Sequence, residues 1–251
     1  MEEYVIWDKK KINLENFTLI LPSLSVGNVG QLAVDLLINN LNVKNVAHIH
    51  HFGLLPFIGA DPFDPKQMKL TTSCQLYVCE DKKIAIIQQR SPIILTERSN
   101  YISFLIRFFK EHNFSRTILL CSSFSQFFTI DDLRGVPAHF LSSSSFSDTE
   151  TLVNLQWKKF ALHPKINPKE TSSIPGGGIA KFLLEDCEKE GIPFVILILV
   201  CSEGNNYPEA FQMVERLNDW LNLKQKDDSS NWKMPMSWTL PYGNDAPKTL
   251  Y

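Results

Sequence analysis

The stretch Phe17–Leu41, FTLILPSLSVGNVGQLAVDLLINNL, restricts this chain to a small set of folds. Phe17–Leu21 is short, apolar and rich in β-branched and aromatic side chains, the pattern of a buried strand. Pro22 is expected to stop it. Ser23, Ser25, Gly27, Asn28 and Gly30 supply turn chemistry. Val29, Leu32, Ala33, Leu36, Leu37 and Leu41 then recur at helical spacing, with Gln31, Asp35 and Asn39 on the wetter side. A strand, a glycine-bearing loop and an amphipathic helix in this order open an α/β domain, and later units pair against them.

The remaining pattern extends that unit. Val43–His50 reads as a strand, and Phe52–Lys69, with Pro56, Pro62 and Pro65, as a loop. Ser73–Cys79 and Lys83–Gln89 flank Glu80-Asp81-Lys82 as an antiparallel hairpin, so the sheet is expected to be mixed. Thr96 is placed to cap a helix running to His112, with Asn113 at its end. Thr117–Cys121 reads as a strand followed by polar residues, and Asp131–Ser147 as irregular. Ser147-x-x-Glu150 matches a capping box for a short helix. Gly176–Gly178 open a helix that Gly191 and Pro193 end. Phe194–Cys201 is the most apolar strand and is expected at the centre of the sheet. Pro208 suits the first turn of a last helix. The chain has 251 residues, 44% of them hydrophobic, and no linker divides it. This predicts one three-layer α/β/α domain over 1–223 and a C-terminal extension over 224–251, in which Trp232 and Trp238 pack back on the domain.

Composition excludes several functions. A net charge of −2 gives no general attraction to nucleic acid or anionic lipid. Phe194–Cys201 is too short to span a bilayer. The five cysteines have no CxxC spacing and fall largely in apolar runs, which favours reduced thiols in a cytosolic or nuclear protein. His48 and His50 would share one side of a strand, but no further ligands stand at metal spacing.

Chemistry-bearing patterns are sparse. Ile174-Pro-Gly-Gly-Gly-Ile179 could present backbone N–H groups to an anion at a helix start. A phosphate loop is not formed, because Lys181 follows too soon and Phe182 stands where a hydroxyl is needed. Gly176, Gly177 and Gly178 are therefore read as serving backbone geometry, with positive φ expected at Gly177. Gly27 and Gly30 are read as helix-start packing, since Ser25 replaces the first glycine of a dinucleotide fingerprint. Ser122, Ser123, Ser125 and Glu203 follow strands, where open α/β sheets often place active sites. No histidine or aspartate is tied to them by spacing. No catalytic, metal or cofactor residue is assigned. The alternative is an anion-binding α/β enzyme built on the Gly176–Gly178 loop.

LPSLSVGNVGQLAVDLLI (Leu21–Ile38), IPGGGIAKFL (Ile174–Leu183), SEGNNYPEA (Ser202–Ala210), LNDWL (Leu217–Leu221) and WKMPMSW (Trp232–Trp238) together resemble the proteasome assembly chaperone 2 family. The resemblance runs in order along nearly the whole chain. It implies a phosphorylase/hydrolase-like α/β/α sandwich without catalytic apparatus. It further implies a heterodimer with proteasome assembly chaperone 1, seated on the α-subunit ring of the proteasome core particle in cytoplasm and nucleus. There it would promote ring formation and block off-pathway ring dimers. Such chaperones dock tails ending in a hydrophobic residue, a tyrosine and any residue. Here Leu250 and Tyr251 are the corresponding partner-binding residues, with tyrosine terminal rather than penultimate.

Overall fold

The structure is a computed structural model that describes residues 4–64, 69–129, 133, 137–161, 174–225 and 232–239. Eleven strands occur among these: β1 (Val5–Trp7), β2 (Thr18–Pro22), β3 (Lys44–Ile49), β4 (Ile58–Ala60), β5 (Leu70–Thr72), β6 (Cys74–Cys79), β7 (Ile84–Gln89), β8 (Arg116–Phe124), β9 (Ala138–Ser142), β10 (Lys158–Lys159) and β11 (Phe194–Cys201). The helices are α1 (Val29–Asn40), α2 (Arg98–His112), α3 (Thr149–Asn154), α4 (Ala180–Lys189) and α5 (Tyr207–Leu221). Nine strands form one mixed sheet in the order β1-β3-β6-β7-β2-β8-β11-β9-β10, and β4 and β5 form a separate antiparallel pair.

Four adjacent strands, β7, β2, β8 and β11, run parallel and carry the most apolar sequences. Their side chains alternate between two apolar clusters, as a strand buried on both faces must. Phe194, Ile196 and Ile198 of β11 face the cluster built by α2 and α4. Val195, Leu197 and Leu199 face the one built by α1, α3 and α5. Helices therefore cover both faces of the sheet. Tyr101, Phe104, Phe108 and Phe109 of α2 are almost fully buried. Asn113 ends that helix in the left-handed region, with φ 46° and its N–H on the Phe109 carbonyl.

Several sequence expectations are corrected here. Pro22 belongs to β2 and pairs with Leu120. β2 pairs with β7 only as far as Ile20, so the missing N–H of Pro22 costs no bond on that side. β2, not β11, stands in the middle of the sheet; β11 is still flanked on both sides. β8 runs on through Cys121, Ser122 and Ser123 to Phe124, because their hydroxyls find internal partners. Ala138–Ser142 is a strand antiparallel to β11, and Ile58–Ala60 is a strand inside the expected loop. β1 was too short and mixed to be read from sequence. It pairs only with β3, at the sheet edge. Thr96 lies in a single turn, Leu95–Glu97, and makes no side-chain cap. Ser147 bonds the Asp148 carboxylate instead of closing a capping box, and Asp148 also holds Arg116.

The segment 232–239 lies over α1 and α5. Lys233 exchanges hydrogen bonds with Asn40, and its carbonyl also accepts from Asn39. The Trp238 ring stacks on Tyr207 at 4.4 Å and 4°, and both Trp232 and Trp238 are buried. Ser237 N–H donates to the Pro62 carbonyl, tying this segment to the loop before β5. That loop is held from the other side by a buried pair. Arg90 contacts Asp35 at 2.7 Å and lies over the Phe63 ring, while Gln88 donates to the same carboxylate at 2.6 Å.

Candidate functional site

In an open parallel sheet the carboxyl ends of the strands are where a ligand is expected. Here that end gathers the loops after β2, β8 and β11 with the glycine run before α4. Ser23 Oγ donates to the Gly177 carbonyl at 2.7 Å. Ser25 Oγ stands 2.7 Å from Ser122 Oγ and accepts the Ser122 N–H at 3.0 Å. Ser122 Oγ donates to the Val26 carbonyl at 2.5 Å, and Ser123 Oγ to the Pro175 carbonyl at 2.9 Å. These serines are buried, and their hydroxyls are spent on one another and on the backbone of Val26, Pro175 and Gly177. Ser125 is further out and faces Ser202, with 2.9 Å between the hydroxyls. Glu203 is exposed on the loop after β11.

The glycine loop is equally engaged. Gly177 N–H donates to the Ile174 carbonyl, Val26 N–H to the Gly176 carbonyl, and Phe124 N–H to the Pro175 carbonyl. Positive φ occurs at Gly176 and Gly178, not at Gly177 as the sequence reading expected. Gly178 has φ +63°, and a Cβ there would meet the Leu24 carbonyl oxygen at 2.4 Å. At Gly30 a Cβ would lie 2.3 Å from the Leu120 carbonyl oxygen, so α1 approaches β8 closer than any side chain permits. Gly27 turns the chain at φ +65° against the Asn206 side chain. Asn206 Nδ2 in turn donates to the carbonyls of Ser202 and Gly204. Loops from three strands thus interlock at the carboxyl end of the sheet, and a recess of about 320 Å³ lined by Gly27, Leu32, Gly204, Asn206 and Tyr207 lies beside them.

Nearby nucleophiles are silenced by burial. Desolvation pushes the Cys121 thiol up to about 12 and Cys201 to about 11. All five cysteines are free and buried. Among the described residues no group of three or more His, Cys, Asp or Glu stands close enough to hold a metal ion. His48 bonds Thr72 Oγ1 at 2.9 Å and lies 3.6 Å from Asp8, bordering a cleft of about 920 Å³ beside the β4–β5 pair. His50 is exposed and His51 is buried in an aromatic nest. No helix among the described residues is long and apolar enough to cross a membrane. Leu250 and Tyr251 lie outside the described residues.

A model of the PAC2 family matches residues 19–231. The chain belongs to the PAC2 family. Its relatives include proteasome assembly chaperone 2 of Danio rerio, 38% identical over 250 residues, with 95% of this chain and 96% of the relative covered. Proteasome assembly chaperone 2 of Homo sapiens is 34% identical, with 95% and 96% covered. Among solved structures, Pyrococcus furiosus PbaA, an archaeal homolog of proteasome-assembly chaperone, superposes with a TM-score of 0.69 at 18% identity. That match covers 89% of this chain and 88% of PbaA, and it speaks for the fold.

Three of the five sequence blocks quoted above meet at one place in the fold. Leu21–Ile38, Ile174–Leu183 and Ser202–Ala210 form the interlocked strand ends. Sequence reasoning missed Ser23, Ser25 and Asn206 as the ties between them. Small polar residues after strands carry no spacing rule that would pair them across more than ninety positions.

Proposed function

We propose that this chain is a proteasome assembly chaperone acting by association, without catalysis. It pairs with proteasome assembly chaperone 1, and the pair sits on the α-subunit ring of the nascent core particle in cytoplasm and nucleus. There it favours ring formation and hinders off-pathway dimerisation of rings. The observation that carries this reading is similarity over 95% of the chain to relatives named proteasome assembly chaperone 2. The strand-end packing supports the non-catalytic part, since the buried serine hydroxyls and the Gly177 N–H are bonded internally.

The test is affinity purification of the tagged full chain from its own cells, followed by native mass spectrometry. A one-to-one complex with proteasome assembly chaperone 1, bound to immature particles that contain α subunits, is expected. Recovery of the chain free of both would contradict the reading. Titration calorimetry with nucleotides and inorganic phosphate should give no heat of binding. Micromolar affinity would favour the anion-binding alternative instead.

A further inference from the structure

The nine-stranded sheet ends at β1, Val5–Trp7, which pairs with β3 alone. The register sets Ile6 opposite His48. The flanking bonds run from His50 N–H to the Tyr4 carbonyl and from Asp8 N–H to the Val46 carbonyl. Tyr4, Ile6 and Asp8 therefore turn their backbone groups toward β3, and Val5 and Trp7 turn theirs outward. Among the described residues no partner meets these outward N–H and carbonyl groups. Val5 and Trp7 pack their side chains on the apolar cluster of α2, whereas Ile6 is 58% exposed. An edge with an exposed isoleucine, no proline and no bulge is a template for another strand.

The charges that flank β1 say which strand fits. Glu2 and Glu3 precede it, and Lys9 and Lys10 follow it. Lysines beside an edge strand ordinarily repel a second strand. In antiparallel pairing of two copies the sign reverses, because the acidic end of one meets the basic end of the other. The outward groups lie on Val5 and Trp7, so a two-fold axis can pass only through Val5, Ile6 or Trp7. An axis at Ile6 sets Val5 against Trp7, Glu3 against Lys9 and Glu2 against Lys10, with every glutamate opposite a lysine. An axis at Val5 sets Glu2 against Asp8. An axis at Trp7 opposes Glu3 to Lys11, which Glu111 already holds. The sequence is thus complementary to itself in one register.

We infer that two copies of this chain associate edge to edge through β1, as antiparallel strands about a two-fold axis at Ile6. Val5 exchanges N–H and carbonyl hydrogen bonds with Trp7 of the second copy, and Trp7 does the same with Val5 of the second copy. The two Ile6 side chains meet across the axis, where facing side chains approach most closely. The contact is short and lies at the low end of interface areas, so the dimer is expected at protein concentrations on the order of 10–100 µM. The inference does not rest on the second chaperone subunit. A heterodimer would associate through the same edge into a pair of heterodimers.

The experiment is sedimentation velocity of the full chain without an N-terminal tag, in the form in which it purifies. Alone or with a second subunit, pairing at β1 doubles the mass. A doubling that grows with concentration up to about 100 µM is expected. Lys9→Glu/Lys10→Glu and Glu2→Lys/Glu3→Lys should each weaken it at least about tenfold. Mixing the two variants should restore it, since each supplies the charge the other lacks, and the restoration also shows that both are folded. Ile6→Cys reads the register. Facing residues of this kind have Cα atoms about 4.5 Å apart, within disulfide range, and the five native cysteines are buried. Mild oxidation should give a covalent dimer of Ile6→Cys and none of Leu70→Cys, at a position 61% exposed. A single mass at every concentration would overturn the proposal. Doubling that the charge variants leave unchanged would equally overturn it and place self-association on another surface. Doubling without the Ile6→Cys disulfide would overturn the axis at Ile6.

Discussion

Two neighbouring regions at one end of the sheet are built on opposite principles. At the ends of β2, β8 and β11, Ser23, Ser25, Ser122 and Ser123 are buried and fully occupied with backbone partners. A short distance away, around the start of α2, Leu55, Phe57 and Leu95 are held rigidly with their apolar side chains in solvent. The first region spends its serine hydroxyls on cohesion. The second leaves free energy unspent, at roughly 25 cal/mol for each Å² of apolar surface still wet. The difference separates what holds this fold together from what the fold offers to other molecules.

The comparison can be broken at several points. The largest contrast concerns thiol reactivity. Cys121 and Cys201 lie beneath the interlocked loops with thiols raised to about 12 and about 11. Since the thiolate is the reactive form, a disulfide reagent near pH 8 should label them orders of magnitude more slowly in native than in unfolded protein. Rapid native labelling would show the crevice to be open.

Next comes Gly178→Ala. It combines left-handed backbone strain with a Cβ placed 2.4 Å from the Leu24 carbonyl oxygen. A loss of about 3 kcal/mol is expected from strain and overpacking together, seen as a fall in Tm of roughly 6–12 °C. Ser122→Ala should cost less, about 2 kcal/mol, because it leaves Ser25 and the Val26 carbonyl short of a partner in a buried place.

A smaller effect is the dependence of stability on pH beneath the exposed surface. His51 stacks on Phe52 at 4.5 Å, and burial lowers its pKa from the usual 6.5. His112, packed against Phe108 and Phe114, is lowered for the same reason. In the unfolded chain both take up protons at higher pH than in the folded one. Their contribution is therefore intact above 6.5 and is lost as pH falls below it. Urea midpoints between pH 7.5 and 5.5 should decline, and His51→Gln should flatten the decline. The smallest effect belongs to Leu95→Glu, which should change stability by no more than about 0.5 kcal/mol. A large loss would mean that Leu95 packs on its own chain.

Much of the architecture was legible in the sequence, and the omissions have physical causes. β2 with α1, the β6–β7 hairpin, α2, β11 and α5 announce themselves by period and by turn residues. β1, β4 and β9 do not. They are short: β1 and β9 are recruited by β3 and β11, while β4 pairs only with β5, itself a three-residue strand the sequence reading missed. The polar end of β8 was hidden because Ser122-Ser123 after Cys121 reads as loop, whereas their hydroxyls are satisfied by partners more than fifty positions away. Glycines were visible as a cluster, yet which of them carries positive φ depended on the turn they adopt. The exposed surface was invisible for a further reason. An apolar residue in a loop reads alike whether it turns inward, as Leu54 does, or outward, as Leu55 does.

The central claim is that this chain works through its surface and not through its strand-end crevice. Cells depleted of the chain can be complemented with wild type, with Ser122→Ala, or with Phe57→Glu/Leu95→Glu, each expressed at equal level. Core-particle assembly intermediates are then resolved on native gels. The account predicts that Ser122→Ala restores assembly and that the double variant does not. Restoration by the double variant together with failure of a folded Ser122→Ala chain would contradict it.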